Sequence, residues 1–267
     1  MGGPFFPGNG ITPKNKVWKS KMNNYKARVY ANYVESAEQA TPENISLDLN
    51  DRAPTMRHII NSYFPTDKES KIIDAGCGYG TLIHFAKEHG YSNACGIDVS
   101  SQQVALAKKL GIHNVEEGDL LQTLRATSPS SLDAIVSIDV IEHFSKSELF
   151  EFADTVNAAL KPGGRWIIHC PNAASPFFGI VRYGDITHEL AFTTASLGQL
   201  LKSCGFSRIE FEECRPQVHG LKSLIRFTMW KIVRSLYRSF YIAETGGINI
   251  SKIMTQNLYA VAFKKEI

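Results

Sequence analysis

Ile72-Ile73-Asp74-Ala75-Gly76-Cys77-Gly78-Tyr79-Gly80 decides the fold of this chain. It reads as a buried strand, a glycine turn and a helix start near Thr81. Glycines let the backbone pass close to a ligand, because a side chain there would occupy the ligand's space. The helix start aims unpaired N–H groups at the same place. The acid narrows the choice of ligand. Asp74 stands two residues before the first glycine, where a carboxylate repels a pyrophosphate and suits a cation. The pyrophosphate fingerprint is G-x-G-x-x-G, whereas this chain has Gly76-x-Gly78-x-Gly80. The alternative is a tight turn that holds no ligand.

Outward from that turn, the chain alternates. Strand-like runs are Lys71–Ala75, Ala94–Ile97, Asn114–Glu117, Ala134–Ile138, Arg165–His169 and Arg208–Glu212. Helical patterns lie between most of them, at Thr81–His89, Ser101–Leu110, Lys146–Leu160 and Thr194–Cys204. Such alternation predicts a doubly wound α/β fold with helices on both faces of a mostly parallel sheet. Lys161-Pro162-Gly163-Gly164 reads as a helix stop and turn. A last strand, Leu258–Lys264, follows a long insertion. Pro54 to Phe64 reads as a helix packing on the core.

The bulk numbers fit one such domain with appendages. The chain has 267 residues and a formal net charge of +3, which gives no case for nucleic acid. Cys77, Cys95, Cys170, Cys204 and Cys214 form no C-x-x-C pair, so reduced thiols in a cytoplasm are expected. No apolar run reaches membrane-spanning length. The expected organisation is a flexible tail at 1–14, an N-terminal helical cap or lid at 15–66, and the ligand-binding domain at 67–267 with an insertion at about 216–250. The cap region is basic and aromatic. Tyr25, Arg28 and Tyr33 are its candidates for closing over a ligand.

D-x-G-C-G-x-G after an apolar strand resembles the first motif of class I S-adenosylmethionine (SAM)-dependent methyltransferases. SAM carries an ammonium and a sulfonium on an adenosine, which suits Asp74. Further matches follow in the family's order. Gly96-Ile97-Asp98 looks like the acidic end of the second strand, where a carboxylate holds both ribose hydroxyls. Gly118-Asp119-Leu120 resembles the adenine-side motif, and Leu160-Lys161-Pro162-Gly163-Gly164 the turn before the fifth strand. The resemblance implies a Rossmann-like seven-stranded sheet with the last strand antiparallel. It implies cofactor contacts from Asp74, Ala75, Gly76, Cys77, Gly78, Gly80, Asp98, Val99, Asp119, Leu120 and Asp139.

The fourth strand ends in Asp139-Val140-Ile141-Glu142-His143, and Tyr183 to Glu189 follows the fifth, so both face the crevice at the strands' carboxyl ends. This layout resembles ubiquinone-biosynthesis-type O-methyltransferases and the small-RNA 3′-end 2′-O-methyltransferases. In the latter an E-x-x-E-H run and a later His, five residues before a Thr, bind a divalent metal. Here Asp139, Glu142, His143 and His188 fall on those positions, with the shorter Asp139 in place of Glu. The resemblance implies Mg²⁺ or Mn²⁺ on these four residues. Otherwise Glu142, His143 and His188 serve as metal-free catalytic groups, or His143 and His188 simply pack.

Leu221 to Tyr241 has no place in a minimal fold. It reads as a basic amphipathic helix of about 30 Å, with Lys222, Arg226, Lys231, Arg234 and Arg238 among apolar residues. Its expected roles are covering a sheet edge, forming a dimer interface, or attaching to an anionic membrane surface or a lipid-linked substrate. Nucleic acid is the least supported. The run Asp185 to Glu189 with this helix and Thr255-Gln256-Asn257-Leu258 looks like methyltransferases encoded with bacterial surface-polysaccharide enzymes. That implies O-methylation of a sugar or glycolipid acceptor, in the cytoplasm or peripherally at the inner membrane face. The rivals are methylation of a small phenolic or quinone-like metabolite and a non-catalytic SAM-fold partner protein.

Overall fold

The computed structural model describes residues 25, 26, 29, 42–216, 218, 220–247 and 253–266. The tail expected at 1–14 and much of the expected cap, Arg28 and Tyr33 included, lie outside the described residues.

Seven strands form one sheet: β1 (Ile72–Ala75), β2 (Ala94–Asp98), β3 (Val115–Glu117), β4 (Leu132–Ile138), β5 (Leu160–Pro171), β6 (Phe206–Glu213) and β7 (Asn257–Lys264). Their spatial order is β3-β2-β1-β4-β5-β7-β6. The β1, β2, β3, β4 and β5 pairings are parallel, and β7 runs antiparallel to both β5 and β6. The sheet is therefore the expected seven-stranded one with its last strand reversed. Strand order turns around between β1 and β4, which opens a crevice at their carboxyl ends.

The helices are α1 (Pro42–Tyr63), α2 (Thr81–Glu88), α3 (Ser101–Lys109), α4 (Leu120–Ala126), α5 (Lys146–Ala159), α6 (Phe178–Arg182), α7 (Thr194–Ser203) and α8 (Leu221–Thr245). Pleating sends alternate strand residues to opposite faces. Ile73, Ile135, Trp166 and Ile168 join Leu124, Phe152, Val156 and Leu197, so α4, α5 and α7 cover one face. Ile72, Val136, Ile167 and Val261 join Ile59, Phe85 and Ala107, so α1, α2 and α3 cover the other. Helix α1 thus shares a core with the sheet although it precedes residue 66.

The structure departs from the sequence pattern at several elements. Helix α1 starts at Pro42 rather than Pro54 and carries Pro54 inside it. A proline reads as a helix start because it lacks an N–H, yet an interior one is tolerated where tertiary packing holds the helix. Strand β5 begins at Leu160, and Lys161–Gly164 forms an irregularity between the pairs Leu132↔Leu160 and Ala134↔Arg165. A Cβ on Gly164 would lie 2.8 Å from the Lys161 carbonyl oxygen, so this tight return admits only glycine. The short helices α4 and α6 have too few residues to show a period.

Candidate active site

The glycine turn leaves β1 through three left-handed residues, Gly76 (φ 86°), Gly78 (φ 56°) and Gly80 (φ 84°). A Cβ on Gly76 would sit 2.4 Å from Val140 Cγ2. Two of the turn's N–H groups, from Gly76 and Cys77, donate to the Ile97 carbonyl at 2.8 and 3.1 Å. The turn is thereby tied to the end of β2. Cys77 packs against Gly96, where a Cβ would meet its Sγ at 2.6 Å. Ala75 is buried at the end of β1.

Two acids face this turn. Asp98 accepts from Gly78 N–H and Ser100 N–H, both at 2.8 Å. Burial pushes its carboxyl up, against the downward pull of those backbone donors. Asp74 is buried, and its Oδ1 finds no hydrogen-bond partner among the described residues. Burial first, then the neighbouring charge of Asp98, push its carboxyl up to about 8. A buried carboxyl with an unpartnered oxygen beside a second carboxylate suits a cation. Val99 follows Asp98 at the strand end. Asp119 is the N-cap of α4, accepting from Gln122 N–H at 2.8 Å, and Leu120 packs against the core.

Past β4 the chain turns at Asp139, a non-glycine residue with φ 54°. Its Oδ1 accepts from His169 Nδ1 at 2.8 Å. Burial raises the Asp139 carboxyl, but the His169 charge and hydrogen bond outweigh it and hold it low, with Arg52 of α1 adding to the effect. Ile141–His143 forms a 3₁₀ turn. The backbone carbonyl of Glu142 accepts from Glu189 N–H and Leu190 N–H at 2.8 and 2.9 Å. This clamp brings the loop after β5 to the fourth strand.

One ligand atom from each of Glu142, His143 and His188 lies within 4.8 Å of the others. The two imidazoles meet edge to face with centroids 4.7 Å apart. Glu142 is 0% exposed, and neither carboxyl oxygen finds a partner among the described residues. Burial, then Asp139, push its carboxyl well above the usual range. Burial, then the His188 charge, push His143 down to about 4, so it is neutral at pH 7. Thr187 donates to Asp185 at 2.6 Å, so its hydroxyl oxygen accepts from His143 Nδ1 at 2.8 Å. That sets the tautomer with the proton on Nδ1. His188 Nδ1 donates to the Val181 carbonyl at 3.0 Å. Asp139 does not join this cluster, because His169 holds it.

Tyr25 donates to Glu189, and Lys26 Nζ donates to the His143 carbonyl at 2.6 Å. The N-terminal segment therefore touches the loop that carries His188.

Residues 49–211 match the family model described as a methyltransferase domain. The chain belongs to the methyltransferase domain family. Among curated relatives, an 18S rRNA (guanine(1575)-N(7))-methyltransferase of Saccharomyces cerevisiae is 33% identical over 111 residues, 37% of this chain and 39% of that protein. A cyclopropane-fatty-acyl-phospholipid synthase of Escherichia coli K12 is 27% identical over 99 residues, 37% of this chain and 25% of that protein. The chain thus spans between a quarter and two fifths of the length of these relatives. A SAM-dependent methyltransferase from Archaeoglobus fulgidus shares the fold with a TM-score of 0.60 at 22% identity, covering 80% of this chain and 94% of that one. A Haemonchus contortus phosphoethanolamine N-methyltransferase 2 solved with S-adenosyl-L-methionine gives 0.56 at 19%, covering 80% and 53%.

Several groups around this methyltransferase-domain crevice are not assigned a role by the sequence pattern. His169 sits in an apolar strand and reads as a core residue until β5 is laid beside β4. Asp185 and Thr187 have a local signal, the short Asp-x-Thr turn in which Asp185 Oδ1 accepts from Thr187 N–H at 2.8 Å. Lys26 has none, since its target is a backbone carbonyl 117 residues away.

Proposed function

We propose that this chain is a SAM-dependent O-methyltransferase acting on a hydroxyl of a sugar or glycolipid. The observation that carries the SAM reading is Asp74, a buried carboxyl with an unpartnered oxygen between the glycine turn and Asp98. A bound ammonium would answer that oxygen. SAM supplies a methyl group on a sulfonium, open to in-line attack by a nucleophile.

The chain's own residues do the remaining work by position. Asp98, its oxygens already fixed by Gly78 and Ser100 N–H, retains lone pairs for two ribose hydroxyls. Asp119 retains carboxylate capacity for an exocyclic amine beside its Gln122 contact. Asp139 in its left-handed turn stands at the end of β4, at the mouth of the crevice. Alignment of this kind contributes most of what an in-line methyl transfer needs.

An alcohol also has to lose a proton. Glu142, His143 and His188, gathered within 4.8 Å of one another, are the groups that would receive it. Neutral His143, with its proton held on Nδ1 by Thr187, presents Nε2 as the basic nitrogen. Glu142's two unpartnered oxygens and the neighbouring imidazoles also suit Mg²⁺ or Mn²⁺. Glu142, His143 and His188 would hold that ion, which would lower the hydroxyl's pKa. Asp139 stays with His169 and is left out of the set.

The acceptor class rests on the resemblance of the 185–189 loop and the C-terminal part to polysaccharide-associated enzymes. The test is methyl transfer from labelled SAM to lipid-linked and nucleotide sugars, with and without EDTA. Label in the sugar supports the reading, and activity lost with EDTA supports the ion. Label only in small phenols would replace the acceptor. No SAM affinity at millimolar concentration would sink the enzyme reading in favour of a non-catalytic partner.

A further inference from the structure

Helix α8 carries its apolar face away from the protein. At 3.6 residues per turn, Leu221, Ile225, Met229, Ile232, Leu236 and Phe240 fall within about 100° of arc. All six are exposed, Phe240 by 73%. The inward face is a different one. Ser223, Phe227, Trp230 and Arg234 are the half-buried positions along its first four turns, centred about 160° from the apolar stripe. Arg234 pairs with Glu213 of β6 at 3.1 Å and anchors the helix by that face. No residue of α8 is buried, so its stripe does not serve as a cover for this chain's own sheet edge.

Charge selects the occupant. Lys222, Arg226, Lys231, Arg234 and Arg238 face a single acid in the helix, Glu244. Lys222 and Arg226 border the stripe on one side and Lys231 on the other, long enough to lift their charges out of an apolar layer. A second copy docked stripe to stripe would bring two cationic rows together. An anionic lipid surface accepts both the stripe and its cations. Among the described residues no helix is long and apolar enough to cross a membrane, so α8 would lie in the plane of the surface.

Topology places this face beside the crevice. Strand β6 is paired so that Glu213 lies level with Leu258 and Cys170, at the carboxyl end of β5. Helix α8 therefore leaves the same edge of the sheet as the catalytic loops. Helix α6 and the loop that follows it leave that edge too, and their Ile180, Tyr183 and Ile186 are exposed by 70, 75 and 79%.

We infer that α8 and the tip of the 177–186 loop dock on an anionic lipid surface and turn the crevice toward it. Docking is independent of the methyl-transfer reading, so each can fail alone: SAM affinity reports on one and lipid binding on the other. The experiment is sedimentation of the whole chain with phosphatidylcholine vesicles, with and without phosphatidylglycerol. Three variants accompany it: Ile232→Glu with Leu236→Glu; Lys222→Gln with Arg226→Gln and Lys231→Gln; and Ile180→Ser with Ile186→Ser. All the altered side chains face solvent, so an unchanged melting temperature and unchanged SAM affinity certify the fold. The wild type should bind the anionic vesicles and lose them at high salt. The triple charge variant should weaken binding on the order of a hundredfold, at about fivefold per cation. The glutamate pair should abolish binding, and the loop pair should weaken it. Equal partitioning of the wild type and the folded glutamate variant would overturn the proposal. So would absent lipid binding together with a dimer that the glutamate pair dissolves, which would make the stripe a contact between copies.

Discussion

Asp139 Oδ1 accepts a 2.8 Å hydrogen bond from His169 Nδ1, and this contact joins the end of β4 to β5 at the mouth of the crevice. Asp139 is held below the usual carboxylate range and His169 well above the usual imidazole range, each chiefly by the other once burial is overcome. The sign follows for both. The imidazole's contribution is complete below its unfolded pKa and is lost as pH rises through the raised folded value. The carboxyl's is present above its unfolded pKa and lost as pH falls through the lowered one. His169→Gln should destabilise the fold by about 1–3 kcal/mol, toward the low end because the Asp139 side chain is 49% exposed and so screened by solvent. Urea unfolding at neutral pH measures it. A variant as stable as the wild type would show that the pair is held by the fold rather than holding it.

Asp74 ties ligand binding to protons. Its folded pKa, about 8, lies above its ordinary 3.8, so the folded state binds the extra proton between those values. Stability without ligand should therefore fall as pH rises from about 4 to about 8, by up to about 1.4 kcal/mol per unit. Asp74→Asn should remove that slope, read as the difference between wild-type and variant melting temperatures across pH. A bound ammonium would ionise Asp74, so SAM binding at pH 7 should release most of a proton. Calorimetry in buffers of different ionisation enthalpy detects it, and equal release by Asp74→Asn would remove Asp74 from the site.

Asp98→Ala should weaken SAM binding by roughly 1.5–3 kcal/mol, the scale of hydrogen bonds to a charged group. It also removes the acceptor of Gly78 N–H and Ser100 N–H, so the glycine turn should exchange its amide hydrogens faster. Unchanged affinity would refute the ribose role.

For the Glu142, His143 and His188 cluster, Mn²⁺ should raise the melting temperature of the wild type and leave Glu142→Gln unmoved. Gln keeps the volume and loses the anionic donor. A rise of equal size in both would place the ion elsewhere, and none in either would leave the cluster as metal-free groups.

Lys26→Ala with Tyr25→Phe removes the contacts that the N-terminal segment makes with His143 and Glu189. The amides of Glu189 and Leu190, which donate to the Glu142 carbonyl, should then exchange faster. Unchanged protection would mean that the clamp stands without the segment.

Strands β1, β2 and β4 are legible in the sequence because each is a short, mostly apolar run closed by a glycine or an acid. The turn at Asp74–Gly80 is legible for the same local reason: three left-handed positions demand glycine wherever the rest of the chain goes. The Ser145–Glu148 capping box that opens α5 is local too. So is the amphipathic period of α8. What the chain determined by itself is whatever depends on neighbours a few residues away.

Tertiary structure decided the rest, because those relationships cross the sheet. The sequence places Asp139, Glu142, His143 and His188 in one set, with Asp139 as its shorter carboxylate. Only the β4–β5 register puts His169 against Asp139 and withdraws it from the other three. The period of α8 says that one face is apolar but cannot say which way it points. The Arg234–Glu213 contact turns the opposite face inward and leaves the stripe to solvent. A side chain's partner is set by long-range register, and no spacing along the chain encodes it.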